Sequence, residues 1–295
     1  MRNFLKNKVF FNLIVISLIL IHSTAWAEIR LGIIAIRGEL QTLKRWEQLG
    51  KYLSEQLEQP VKIIPLMHNE LIESAARGNV DFVLHTPVGA VLLVEKHQHI
   101  PLATLNTLNG TQFAGVIISK KGSGIKTSED LKGKKVISMQ QSTGAGGYLF
   151  QVYHLKTKGI DPHKDFASFK EGKNQDDLVM GVKIGLFDAA FVRSGILESL
   201  EKSGKIKIED FEIVDQRKNA GFPYLHTTIL FPEFCFSANS SLDPQLISKI
   251  KQVLLNLSSE HSAAKIAEIK GFVEPISYEP IKLLLQTLNI EPFNQ

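Results

Sequence analysis

The sequence has 295 residues, with 34 basic and 30 acidic side chains, nine histidines and a single cysteine. One cysteine excludes an intrachain disulfide and any Cys/His metal spacing. The near balance of charge excludes the basic surface that nucleic acid or an anionic membrane attracts.

The small basic excess is concentrated at the N-terminus. Arg2, Lys6 and Lys8 precede an apolar run from Val9 to Ile21, broken only by Asn12 and Ser17, and Ala25-Trp26-Ala27 is a small-x-small site. This is the pattern of a secretory signal peptide, cleaved after Ala27. The run is too short to span a bilayer comfortably. Removing it leaves 268 residues with 31 basic and 30 acidic side chains, enough for one large domain or two small ones. The mature chain is expected to be periplasmic, soluble and monomeric. Cys235 lies between Phe234 and Phe236 and reads as a buried structural thiol.

The mature chain opens with an apolar β-rich run, Glu28 to Ile36. After the break at Arg37-Gly38-Glu39, Leu43, Trp46, Leu49, Leu53 and Leu57 recur at helical spacing. Pro60 ends that helix and Val61 to Pro65 reads as a second strand, so the chain starts β-α-β. Asn69 to Arg77 is a short helix closed by Gly78, and Asp81 to Leu84 is a strand. Thr86 then stands as N-cap and Pro87 as first residue of a helix reaching Glu95. Leu102 to Leu105 and Phe113 to Ser119 are further strands. Lys135 to Met139 is a short strand followed by Ser142-Thr143-Gly144-Ala145-Gly146-Gly147-Tyr148 and a helical run to Leu155. Leu178 to Gly185, Phe187 to Val192 and Arg193-Ser194-Gly195 read as helix, strand and turn. Phe211 to Asp215 and Tyr224 to Phe231 are extended. Asp243 and Pro244 start a helix to Leu257, and Ala263 to Leu288 reads as mostly helical with breaks at Gly271 and Pro275.

A weak internal repeat runs through this order. Leu71, Gly78 and Asp81 recur 107 residues later as Leu178, Gly185 and Asp188, and the same offset sets Arg37-Gly38 opposite Gly144-Ala145. Two α/β lobes of similar build follow, with residues 28–115 and 229–295 in one and 116–228 in the other. The second lobe is inserted into the first through two crossing segments, Phe113 to Ser119 and Tyr224 to Phe231. Strand ends and helix N-termini then face a central cleft.

Four strand-end segments supply the candidate ligand-binding residues: Arg37; His85-Thr86-Pro87; Ser142, Thr143, Gly144, Gly146 and Tyr148; and Arg193 with Ser194. His226 is a further candidate. Hydroxyls, helix N-termini and two arginines with no evident acidic partner suit an oxyanion. The plainer reading of each is structural: Ser142, Thr143 or Thr86 as helix caps, Arg37 as a surface turn residue, Arg193 paired with Glu198, and His85 and His226 as satisfied buried histidines. No Gly-x-Ser-x-Gly elbow, His-Glu-x-x-His or phosphate-binding loop is present. Asp176-Asp177 is explained by a helix dipole. A binding protein without catalysis, cofactor or metal is expected.

Asp130 to Val136, Ser142 to Tyr148, Gly159-Ile160-Asp161-Pro162, Gly271-Phe272-Val273 and Tyr278-Glu279-Pro280 resemble the phosphonate-type periplasmic substrate-binding proteins of ABC transporters. Arg37-Gly38, Trp46, Asp188 to Leu197, Gly221 to Thr228 and Phe231 to Phe234 are similar to the periplasmic sensor domain of tetrathionate-sensing histidine kinases. The resemblance spans nearly the whole mature chain and rests on the order of its motifs. It implies a type II, two-lobed periplasmic binding fold whose lobes are joined by two crossing strands. Such a fold closes on phosphonate, phosphate ester or a sulfur oxyanion for a membrane permease or, alternatively, a sensor kinase. In phosphonate binders a Ser/Thr run at this helix N-terminus holds the oxyanion. Here glycine or alanine replaces one hydroxyl, and the tyrosine expected near Thr86-Pro87 is missing, which favours a different or bulkier ligand. The sequence stops at Gln295 with no kinase module, so signalling is expected to need a partner.

Overall fold

The computed structural model describes residues 27–36, 38–140 and 144–294. The expected signal peptide lies outside them except for Ala27.

The first half alternates strand and helix as its apolar spacing requires. β1 (Ile29–Ile34) leads into α1 (Glu39–Leu57), which buries Trp46, Leu49, Leu53 and Leu57 on one face. β2 (Val61–Leu66), α2 (His68–Ala76), β3 (Phe82–His85), α3 (Pro87–His97) and β4 (His99–Thr107) follow. The chain then passes through β5 (Gln112–Phe113) into β6 (Gly115–Lys120) and β7 (Lys135–Ser138). A π-helical turn, Ala145–Leu149, runs straight into α4 (Phe150–Thr157). Next come α5 (Pro162–Asp165), β8 (Ser168–Glu171), α6 (Gln175–Lys183), β9 (Ala189–Arg193), α7 (Ile196–Lys202) and β10 (Phe211–Ile213). The chain returns through β11 (Phe231–Pro232) to β12 (Cys235–Asn239), and ends with α8 (Pro244–Leu255), α9 (Ser262–Ala267), β13 (Ile269–Val273) and α10 (Glu279–Thr287).

These strands build two sheets of matching plan, ordered β2-β1-β3-β12-β4-β13 and β8-β7-β9-β6-β10. In each, a central strand pairs in parallel with its two neighbours, and the next strand out runs antiparallel. The chain crosses between sheets twice. The crossings pair with each other as β5 and β11, Phe113 opposite Phe231 and Gln112 opposite Pro232. Phe150 stacks on Phe231 at 3.8 Å between ring centroids and lies 5.0 Å from Phe113, so α4 is seated on both crossings. α10 adds a third tie, burying Ile281, Leu284 and Leu285 in one cluster with Val91 of α3 and Phe150 of α4.

Two expectations need correction. Tyr224 to Phe231 is β-rich in composition, yet only Phe231 enters a strand. Its threonines satisfy the edge of β6 without a ladder, their backbone N–H groups both donating to the Gly115 carbonyl and their hydroxyls meeting the strand's own N–H groups. The Thr228 hydroxyl accepts from the Gly115 N–H at 2.9 Å, and the Thr227 hydroxyl accepts from Ile117 at 3.0 Å while donating to the Val214 carbonyl at 2.7 Å. The C-terminal stretch is not helical throughout, because Ile269–Val273 forms the outer strand of the first sheet. Ser168–Glu171 and Cys235–Asn239 are also strands that sequence pattern did not reveal. Cys235 is fully buried, and burial pushes its thiol up to about 12, which fits the structural role expected of it.

Candidate ligand-binding site

The C-terminal ends of β1, β3, β7 and β9 carry the segments expected to face ligand. Arg37, Ser142 and Thr143 lie outside the described residues. The others fall into two groups.

Thr86, Ser194, Tyr148 and His226 are engaged with their own surroundings. The Thr86 hydroxyl accepts from the Gly89 N–H at 3.3 Å and caps α3. Ser194 exchanges two bonds with Ala114, its hydroxyl accepting and its N–H donating, each at 3.0 Å. The Tyr148 hydroxyl lies 3.0 Å from His163 Nε2, and its ring stacks on Phe169. His226 has Nδ1 2.9 Å from the Tyr224 carbonyl and Nε2 2.8 Å from Asn219 Oδ1. Both ring nitrogens are therefore used inside the loop that carries them.

Gly144, Gly146 and Arg193 are different: Gly146 and Arg193 lie against Phe113 of the β5 crossing, and Gly144 opens the helix beside them. Leu149 N–H donates to the Gly144 carbonyl at 3.0 Å, which makes the first turn π-helical. The N–H groups that open such a turn have no acceptor within the helix, and the helix dipole is positive there. A Cβ on Gly146 would come within 2.8 Å of the Phe113 ring and 3.3 Å of Arg193 Cγ. A Cβ on Gly144 would come within 2.7 Å of the Gln140 carbonyl oxygen. These glycines are thus required by packing, before any question of ligand approach.

Arg193 ends β9. Its N–H donates to Gln175 Oε1 at 2.5 Å, and its guanidinium lies 4.0 Å over the Phe113 ring centroid. Its Nη2 donates to the carboxylate of Glu233. Glu198, the partner expected from sequence, instead accepts from the Leu225 N–H at 2.7 Å. Glu233 follows β11 and is 1% exposed, whereas the Arg193 side chain is 28% exposed and keeps a face toward solvent. Burial pushes the Glu233 carboxyl up, against the opposing pull of Arg193. Its backbone is fixed on both sides, with N–H donating to the Thr111 carbonyl at 2.9 Å and carbonyl accepting from Tyr278 Oη at 3.1 Å.

Sequence reasoning therefore missed Phe113, Gln151, Gln175 and Glu233. Gln151 is fully buried, and its Nε2 reaches the carbonyls of Gly146 at 2.8 Å and Val192 at 2.9 Å. It ties the helix start to β9. Only Glu233 left a signal, as a lone acid inside the apolar run Phe231-Pro232-Glu233-Phe234.

In the first sheet, His85 Nδ1 accepts from the Thr86 N–H at 2.6 Å, so Nε2 carries the proton; that nitrogen is buried without a partner among the described residues. Burial, then the nearby His68, hold His85 neutral, with its pKa well below the usual range. A separate cavity of about 420 Å³ lies between α3 and Pro275–Lys282. Its Glu95 and Lys282 pair with each other at 2.8 Å, and Glu279 also lines it, so the cavity carries a net negative charge that disfavours an anion.

Comparison with known proteins decides the family. Residues 31–277 match the family described as "ABC transporter, phosphonate, periplasmic substrate-binding protein". The chain belongs to this family. It is 30% identical over 271 residues to the tetrathionate sensor histidine kinase TtrS of Salmonella typhimurium, covering 87% of this chain and 45% of that one. It spans about half the length of the curated relatives it matches. PhnD1 from Prochlorococcus marinus, solved with methylphosphonate, superposes with a TM-score of 0.67 at 20% identity, covering 89% of this chain and 98% of that one. XAC2383 from Xanthomonas citri, solved with ATP, gives 0.69 at 18% identity, covering 88% and 95%. The fold is the type II periplasmic binding fold, two lobes joined by two crossing strands, and the family is one of periplasmic solute-binding proteins. Among the described residues no helix is long and apolar enough to cross a membrane.

Proposed function

We propose that this family member captures a small oxyanion between its lobes and presents the closed form to an ABC permease. The lobes are residues 28–115 with 229–295, and 116–228; the mature chain starts after Ala27 and acts as a monomer without catalysis. One observation carries the reading. The positively polarised start of the Ala145–Thr157 helix and the part-exposed Arg193 guanidinium meet around Gly146 and Phe113, at the crossing between sheets. Oriented N–H groups and a forked cation are complementary to an oxyanion. Ser142 and Thr143, immediately before that helix, would add hydroxyl donors, and Arg37 a second cation from the first lobe.

Thermal denaturation with methylphosphonate, sulfate, phosphate and tetrathionate, against arginine and a sugar, tests this. A ligand at about 100 times its Kd should add roughly 2.7 kcal/mol. Stabilisation by arginine or the sugar with none by any oxyanion would overturn it. Recovery of the ligand unchanged, by mass spectrometry, checks the absence of turnover.

A second reading is favoured by the 30% identity to a sensor kinase over 87% of the chain. On it, the liganded protein docks on a separate histidine kinase. Permease and ATPase genes beside its own support transport; kinase and response-regulator genes support sensing.

A further inference from the structure

We infer that Glu233 is the resident counter-ion of the oxyanion site: it occupies Arg193 when no ligand is bound, an incoming anion takes the guanidinium over, and the vacated carboxylate is neutralised by a proton from solvent. This rests on the cleft being an oxyanion site.

Besides its ladder pairing with Gly115, Arg193 is held by groups from the crossings and the adjoining helix: Phe113 of β5 under its plane, Glu233 beyond β11 on its Nη2, and the Gln175 side chain on its backbone. Glu233 is buried behind it, while Arg193 keeps its exposed face. An oxyanion at the helix start would bring a second negative charge to a guanidinium already paired. Two anions on one cation in a buried setting repel, and a buried carboxylate that loses its cation is costly to keep charged. Protonation removes both penalties.

Among the described residues, the Phe234 N–H, Tyr278, Cys235 and Arg45 also surround Glu233. Tyr278, ahead of α10, donates its hydroxyl to the Glu233 carbonyl and lies 3.1 Å from Thr104 Oγ1, and burial pushes it up beyond its ordinary range. Cys235 on β12 is raised to about 12, again by burial. Arg45 of α1 acts on Glu233 from a distance and gives its Nε to the Ala267 carbonyl at 2.9 Å. Among these neighbours Glu233 is the carboxyl that burial pushes toward its protonated form, and Arg193 is the first-named group opposing it.

The sign follows from linkage. If the bound form carries one more proton than the free form, affinity rises as pH falls, by about tenfold per pH unit for one proton. The probes are sulfate and tetrathionate, which do not themselves titrate near neutrality. Calorimetric titrations from pH 6 to 8, in buffers of high and low ionisation enthalpy, count the protons directly in the unmodified protein. The expected result is uptake approaching one proton and affinity falling up to tenfold per unit of rising pH. Glu233→Gln should bind both probes more tightly than the parent at pH 8, with a flat pH profile. Binding by the parent without proton uptake overturns the counter-ion role, as does loss of binding in a folded Glu233→Gln, since Glu233 would then merely position Arg193. If the variant fails to fold, the proton count on the parent decides alone. Binding of neither probe, nor of methylphosphonate, removes the oxyanion reading itself and this inference with it.

Discussion

Asp81 and Asp188 make the same contact in the two sheets. The Asp81 carboxylate accepts from the Arg30 backbone N–H at 2.7 Å, and that of Asp188 from the Lys135 N–H at 2.8 Å. Each aspartate also donates its own N–H to the carbonyl of the same residue, at 2.8 and 2.9 Å. Arg30 is the second residue of β1 and Lys135 the first of β7, the central strands of the parallel trios. The internal repeat is thus a repeat of hydrogen bonds, with helices closing at Gly78 and Gly185, both at positive φ.

The two contacts should not be equally valuable. Asp81 is part-buried and also binds the Arg30 side chain at 2.7 and 3.1 Å, whereas Asp188 is exposed. Asp81→Ala should cost about 1–3 kcal/mol, as for loss of a charged, part-buried partner, and Asp188→Ala nearer 1 kcal/mol or below. Urea midpoints at constant m-value measure both.

Much of this fold was legible because its signals are local. Thr86-Pro87 and Asp243-Pro244 cap their helices as the chemistry of those pairs requires, with donors at Gly89 and Gln245. Trp46, Leu49, Leu53 and Leu57 face the core as their spacing demands. The losses came where side chains replace backbone partners, as at Thr227 and Thr228, or where strands are short, as at β8 and β12. In the site, Arg193 was visible as a strand-end cation. Its partner Glu233, 40 residues on, was not, because nothing in the spacing of an isolated acid specifies a pairing made by a chain crossing.

The threonine segment makes a further prediction. Thr227→Val keeps shape and raises β propensity, but leaves the buried Ile117 N–H and Val214 carbonyl without their hydroxyl partner. The unmet groups should dominate, with a loss of about 1–3 kcal/mol against a propensity gain of a few tenths. Denaturant unfolding of Thr227→Val and Thr227→Ser separates the terms, since serine retains the hydroxyl.

Acid should weaken the second lobe through Asp215. Burial acts to raise this carboxyl, but Ser128, His154 and Lys158 donate to it and together hold it at about 2. A group depressed in the fold stabilises fully above its unfolded value and loses that contribution as pH falls through its folded value. The loss should therefore run from about pH 4 down to about pH 2. Stability against pH should steepen there, and Asp215→Asn should flatten the curve while lowering it at neutral pH. His99 acts at milder acidity. Burial, then His97, hold it at about 4, so the unfolded chain takes up a proton that the fold refuses. Stability should already decline as pH drops below about 6.5.

The decisive site variants are Gly146→Ala and Arg193→Lys, read together. The added methyl of alanine would come within 2.8 Å of the Phe113 ring, itself packed against Phe150 and the β5–β11 pair, so the ring cannot easily retreat. Overpacking of this kind costs about 1–3 kcal/mol of stability. It should weaken oxyanion binding too, because Phe113 is the surface on which the guanidinium rests. Arg193→Lys keeps the charge but lacks the planar fork and the stacking over Phe113. It should leave stability within about 1 kcal/mol and still weaken an oxyanion by about 10-fold or more, a loss typical of one charge-assisted bond. Melting curves and calorimetric Kd values separate the outcomes. If Gly146→Ala lowers stability with no loss of affinity, and Arg193→Lys binds as the parent does, the glycine turn is packing alone and the anion is held elsewhere in the cleft.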